Sequence, residues 1–287
     1  MREALYYETL ADRRIKCLLC PHYCVIAIEK TGFCGVRKNM KGKLYSLIYG
    51  EITSIALDPI EKKPLYHWHP GEFILSIGTK GCNFKCGFCQ NWGISQDLIC
   101  PTESTTAEYL IKEAKRLNSF GIAYTYNEPF IWYEFILDTA KKIKLEGLEN
   151  VLVTNGYINL EPLEELLPYI DAANIDLKSI EDSFYRETCK GDLNTVLEAI
   201  KKIYRSCHIE ITNLVIPTLN DKEENFIKLV DWIYENLGDS VPLHFSRYFP
   251  SYKFNISSTP IETLKKAEEI AKKKLKYVYL GNVPTFF

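Results

Sequence analysis

Long hydrophobic runs are missing from this sequence. No stretch approaches the ~20 apolar residues that a membrane-spanning helix requires, which excludes an α-helical membrane protein. The opening residues Met1 to Tyr7 lack the apolar core of a secretion signal, so a cytoplasmic location is expected. Charge of one sign is also missing. Against 35 Lys and Arg stand 37 Asp and Glu, a net charge of −2, and no basic field favours nucleic acid or an anionic membrane. The run Lys272–Lys274 adjoins an amphipathic helical pattern and reads as a solvated helix face. Internal repeats and low-complexity tracts are absent. Methionine (2 residues) is scarce, as is glutamine (Gln90 and Gln96), a composition common in heat-adapted proteins.

Cysteine is what the chain has in excess. Ten cysteines are many for a compartment in which disulfides are disfavoured, so clustered cysteines point to metal or redox chemistry. Cys100, Cys189 and Cys207 stand alone and read as small buried apolar residues. The others form two groups, one in an N-terminal segment and one in a loop at Cys82–Cys89.

From Phe73 onward, β-rich runs alternate with helical patterns. Strands are predicted at Phe73–Ile77, Ile122–Tyr126, Val151–Thr154, Ala173–Leu177, Ile209–Ile216 and Pro242–Ser246. Thr105 with Glu108, Asp221 with Glu224, and Thr259 with Pro260 and Glu262 mark helix starts. The stripe Phe226, Leu229, Val230, Ile233 and Leu237 predicts a helix that Gly238 ends. Such alternation means an α/β fold with a parallel sheet and right-handed crossovers. Six units form an open, partial (β/α)6 version of the TIM-type barrel, with its chemistry at the C-terminal strand ends. We assign residues 71–287 to this barrel and residues 1–70 to a small Cys-rich module.

Cys82, Cys86 and Cys89 have C-x3-C-x2-C spacing on the loop after the first barrel strand. Three soft thiolates so placed suit a [4Fe–4S] cluster and leave one iron open for a ligand. The competing reading is a structural zinc site completed by Cys100 or a histidine. In the N-terminal module, Cys17, Cys20, Cys24 and Cys34 are spaced for a second metal centre, zinc or iron–sulfur; His22 could replace one of them. Asn174, Asp176 and Lys178 alternate along one strand and share a face. An inward Asp and Lys are costly unless paired or bound to ligand.

The C-x3-C-x2-C loop, with the aromatic Phe88 before its last cysteine, resembles the signature of radical S-adenosylmethionine (SAM) enzymes. With Cys17–Arg37, Asp58–His67, Tyr124–Pro129, Ile175–Lys178, His244–Pro250 and Tyr279–Asn282, it resembles the radical SAM enzyme of the AmmeMemoRadiSam system, a relative of pyruvate formate-lyase activating enzyme. The resemblance implies that a [4Fe–4S] cluster cleaves SAM reductively to methionine and a 5′-deoxyadenosyl radical. That radical abstracts hydrogen from a substrate, expected to be a protein or peptide. It further implies a SAM pocket formed by Phe88, Gln90, Asn127, Glu128, Thr154, Asp176, Lys178 and His244, and an electron donor such as ferredoxin or flavodoxin. Two departures stand out: Tyr126 and Asn127 replace the family's paired glycines before Glu128-Pro129, and Val153 precedes Thr154 where activating enzymes have Asp. Many family members continue past Gly281-Asn282 with a C-x-x-C pair, whereas this chain stops at Phe287, so a C-terminal metal knuckle is expected to be absent. His67 and His69 around Trp68 read as ordinary packing or as a second site, and Arg247 as a group for a substrate carboxylate or peptide backbone. Alternative readings are a radical SAM enzyme acting on a small molecule or tRNA, and a non-catalytic iron–sulfur electron carrier.

Overall fold

A computed structural model describes residues 1–284. The predicted strands assemble into one eight-stranded sheet. Its strands are β1 (Ser54–Pro59), β2 (Phe73–Gly78), β3 (Gly121–Tyr124), β4 (Glu149–Thr154), β5 (Ala172–Asp176), β6 (His208–Val215), β7 (Leu243–Arg247) and β8 (Val278–Gly281). They lie side by side in chain order. Every neighbouring pair from β2 to β8 is parallel, while β1 runs antiparallel to β2. The sheet is an open, partial barrel, since β1 and β8 are edge strands that do not pair with each other. The six predicted strands form its centre, and the structure adds one strand at each edge.

Helices with buried apolar stripes cover the outside. Glu223–Leu237 buries Phe226, Leu229, Val230, Ile233 and Leu237, the predicted stripe, and Gly238 ends it with φ +86°. The helix starts differ from expectation. Thr106, not Thr105, caps Ala107–Arg116, its hydroxyl accepting from Tyr109 N at 3.2 Å. Thr105 N is already committed to Gly50 O at 2.7 Å. Asp221 accepts from Thr218 N at 2.8 Å, one turn before its helix begins. Thr259 Oγ1 instead joins two loops, donating to Val215 O at 2.6 Å and accepting from Tyr248 N at 2.9 Å. Tertiary partners thus take the Thr259 hydroxyl, a local turn takes Asp221, and the Thr105 hydroxyl is buried without a partner.

The N-terminal residues form two three-stranded antiparallel sheets. One comprises Tyr7–Thr9, Ile15–Cys17 and Val25–Ile26; the other comprises Arg2–Glu3, Lys43–Ser46 and Arg37–Met40. A buried ion pair ties them to the barrel: Arg37 Nη2 lies 2.9 Å from Glu134 Oε1, with both side chains buried. Among the described residues no helix is long and apolar enough to cross a membrane.

Candidate active site

The loop carrying Cys82, Cys86 and Cys89 leaves β2 at its C-terminal end. Gly81 has φ +90°, and a Cβ there would lie 2.8 Å from Val36 Cγ1 and 2.9 Å from Cys34 O, so only glycine fits. The Asn127 side chain holds the loop's entry. Its Oδ1 accepts from Thr79 N at 3.0 Å and its Nδ2 donates to Gly81 O at 2.9 Å. Asn83 Nδ2 donates to Tyr157 O at 2.7 Å and anchors the loop to the segment after β4.

All three cysteines line one cavity of about 320 Å³ inside the barrel. Phe88, Gln90, Asn127, Glu128, Thr154, Asp176 and Lys178 line the same cavity. The side chains predicted from strand ends β2, β3, β4 and β5 are thus brought together. Lys178 Nζ pairs with Asp176 Oδ2 at 2.9 Å. Burial opposes its charge, but Asp176 and the thiols of Cys86 and Cys189 outweigh that and raise its pKa. Glu128 is buried; its Oε1 accepts from Thr154 Oγ1 at 2.7 Å and its Oε2 from Asn155 N at 2.8 Å. Burial nonetheless pushes its carboxyl up to about 7.

Donors surround the sulfurs. Phe84 N donates to Cys82 Sγ at 3.3 Å, and Asn155 Nδ2 to the same atom at 3.8 Å. Ser95 Oγ lies 3.1 Å from Cys89 Sγ. Burial raises the Cys89 thiol's pKa, while Lys178 and Ser95 favour its thiolate. Among the described residues no three His, Cys, Asp or Glu side chains are grouped to hold a single metal ion. A [4Fe–4S] cluster does not need such convergence, because each cysteine binds a different iron. Three thiols on one cavity, two of them with hydrogen-bond partners, fit that cluster with one iron left open.

His244 is not in this cavity. It lies near the start of β7, two residues below Ser246, which does line the cavity. Its Nε2 lies 2.6 Å from Glu210 Oε2, and its ring stacks on Tyr279 at 5.2 Å. Asn174 shares the face of Asp176 and Lys178 but sits deeper, donating to Pro64 O at 2.8 Å. Arg247 Nε donates to Thr259 O at 2.8 Å. His67 and His69 pack: His67 Nε2 is 2.7 Å from Tyr279 OH, and His69 stacks on Phe120 at 4.3 Å.

Three features escaped the sequence reading. Lys62 and Lys63 form a cavity wall. Lys63 Nζ lies 2.8 Å from Asp58 Oδ2, which also accepts from Tyr126 OH at 2.7 Å. Burial would raise the Asp58 carboxyl, but Lys63, Tyr126 and Lys62 hold it well below the usual range. The charged run Asp58–Lys63 was the available signal. Asn155, from Thr154-Asn155-Gly156, contacts Cys82. Cys189 is fully buried but not merely apolar filling: from a π-helical turn, Tyr185–Cys189, it acts on the Cys86 thiol and pushes its pKa up. Cys100 and Cys207 are only half-buried.

The comparisons with known proteins agree with this geometry. The model of the radical SAM superfamily matches residues 76–230. An uncharacterised protein of Methanocaldococcus jannaschii is 45% identical, covering 99% of this chain and 86% of that protein. A pyruvate formate-lyase-activating enzyme of Clostridium pasteurianum is 28% identical, covering 54% of this chain and 66% of that enzyme. Among solved structures, Streptococcus suis SuiB bound to its precursor peptide SuiA has a TM-score of 0.57 at 16% identity. The match covers 79% of this chain and 52% of that one, a likeness of fold.

Proposed function

The chain belongs to the radical SAM superfamily, and from that premise we propose that it is an activating-enzyme-like radical SAM oxidoreductase acting on a protein or peptide. The observation that carries the reading is the single cavity shared by Cys82, Cys86, Cys89, Glu128, Asp176 and Lys178. When bound, the [4Fe–4S] cluster and SAM supply reductive cleavage to methionine and a 5′-deoxyadenosyl radical. The protein's own contribution is placement. Asn127 and Asn83 fix the cysteine loop, and donors from Phe84 and Asn155 stabilise thiolate sulfur. Buried Glu128 and the Asp176–Lys178 pair offer one acidic and one zwitterionic contact, which suits a ligand carrying both ammonium and carboxylate groups.

Similarity to a pyruvate formate-lyase-activating enzyme supports a protein substrate. An external reductant of the ferredoxin or flavodoxin kind would supply the electron. The narrower place in the AmmeMemoRadiSam family is supported by the Asp58–Lys63 run, whose lysines line the cavity, and by Tyr279–Asn282. A pure electron carrier has no use for a cavity of 320 Å³ beside its cluster. The test is anaerobic reconstitution with iron and sulfide, followed by SAM, dithionite and a 5′-deoxyadenosine assay. The parent should form 5′-deoxyadenosine and the Cys82/Cys86/Cys89→Ala variant should form none; equal formation by both would overturn the assignment.

A further inference from the structure

The reaction cavity leaves the N-terminal cysteines unused. Cys17 ends the strand Ile15–Cys17, Cys20 and Cys24 lie on the turns that follow, and Cys34 comes ten residues later. All four, with His22, line one small cavity of about 20 Å³. The barrel contributes Ile131 to its wall.

Phe33 N donates to Cys24 Sγ at 3.3 Å. A second observation is independent of the cysteines. Arg37 is 1% exposed and lines this cavity. Its Nη1 and Nη2 donate to Glu134 and to Leu5 O, at 2.7–3.1 Å. Its Nε is buried without a partner. A buried N–H left unpaired is costly, and Cys17 and Cys34 line the same cavity as Arg37.

We propose that Cys17, Cys20, Cys24 and Cys34 bind one tetrahedral divalent ion of the zinc class, and that this ion buttresses the catalytic cysteine loop. Four cysteine sulfurs are the full ligand set of one tetrahedral ion of this class. The four sulfurs are not yet gathered at ligand spacing, so the ion draws them inward. The link to the reaction cavity is direct. His22 Nε2 donates to Asn83 O at 2.7 Å, and Gly81 is packed so tightly on Cys34 O that a Cβ would lie 2.9 Å away. Gly81 and Asn83 flank Cys82.

The test uses the full chain carrying Cys82/Cys86/Cys89→Ala, which removes the catalytic cluster's contribution. Metal analysis after anaerobic purification should find about one zinc per chain. Cobalt substituted for zinc should give the intense visible bands of a tetrahedral thiolate site. Cys20→Ser, at a half-buried position, should lower metal content on that background and weaken the cobalt spectrum. About four iron atoms per chain would overturn the mononuclear reading. Failure to bind zinc or cobalt by a protein that keeps its folded circular dichroism would overturn the site altogether, as would unchanged metal content in Cys20→Ser.

Discussion

Asn127 stands where the resemblance implies a glycine, and its side chain is fully engaged there. One amide serves two backbone groups on either side of Lys80, accepting from Thr79 N and donating to Gly81 O. Asn127→Ala would strand both inside the protein, at roughly 1–3 kcal/mol for each buried group. Asn127→Asp keeps the acceptor and loses the donor. We expect iron loading after anaerobic reconstitution to fall in the order parent, Asp, Ala; equal loading of all three would show that the amide does not hold the loop. Tyr126 sits in the left-handed region at φ +71°, and its hydroxyl reaches Asp58 across the cavity. Tyr126 and Asn127 thus each place a hydrogen-bonded side chain at this strand end.

At the scale of elements, the catalytic loop is gripped by the segment after β7. Lys253 N donates to Gly87 O at 2.9 Å and Ser251 Oγ to Cys89 O at 3.0 Å. The Phe254 ring packs on Phe88, their centroids 5.9 Å apart. A Cβ on Gly87 would lie 2.4 Å from Phe254 Cε1, so Gly87→Ala forces these two elements apart. Overpacking of this kind costs about 1–3 kcal/mol. Gly87→Ala should lower the denaturation midpoint and the cluster content, and Phe254→Leu added to it should recover part of both. If the double variant is as unstable as the sum of the single ones, the clash is not the cause.

Across the whole molecule, the N-terminal mouth of the barrel is closed by the stretch between β1 and β2. Tyr66 and His67 pack on Tyr279 of the far edge strand, bridging the two edges of the open sheet. Glu210, fully buried, is the hub. It accepts from His67 N at 2.7 Å and lies 3.2 Å from His208 Nε2 and 2.6 Å from His244 Nε2. Burial alone would raise its carboxyl, but His208, His244 and the His67 and Tyr66 backbone hold it down at about 2. A carboxyl depressed from 4.5 to about 2 contributes about 3 kcal/mol of stability at neutral pH. That contribution is complete above pH 4.5 and is lost as pH falls toward 2. Glu210→Gln should therefore be less stable than the parent at pH 7, with the gap narrowing toward pH 2. A gap independent of pH, measured by denaturant titration, would contradict the linkage.

By itself the sequence determined the reaction class and most of the architecture. The C-x3-C-x2-C spacing carried the resemblance to radical SAM enzymes, and helical stripes such as Phe226–Leu237 record burial directly. Period-2 alternation identified the face carrying Asn174, Asp176 and Lys178, and the structure puts all three inside. Depth along a strand was not legible, because the alternation gives the face but not the layer. His244 and Ser246 share a face, yet only Ser246 reaches the cavity, since the strand's C-terminal end lies beyond His244. Tertiary structure alone decided the contacts between segments far apart in the chain. His67 and Glu210 are 143 residues apart, Asp58 and Tyr126 are 68 apart, and Cys189 meets Cys86 from a turn that no local pattern announces. These pairings follow from the sheet's curvature, which brings distant loops to a common axis and appears in no single stretch of residues.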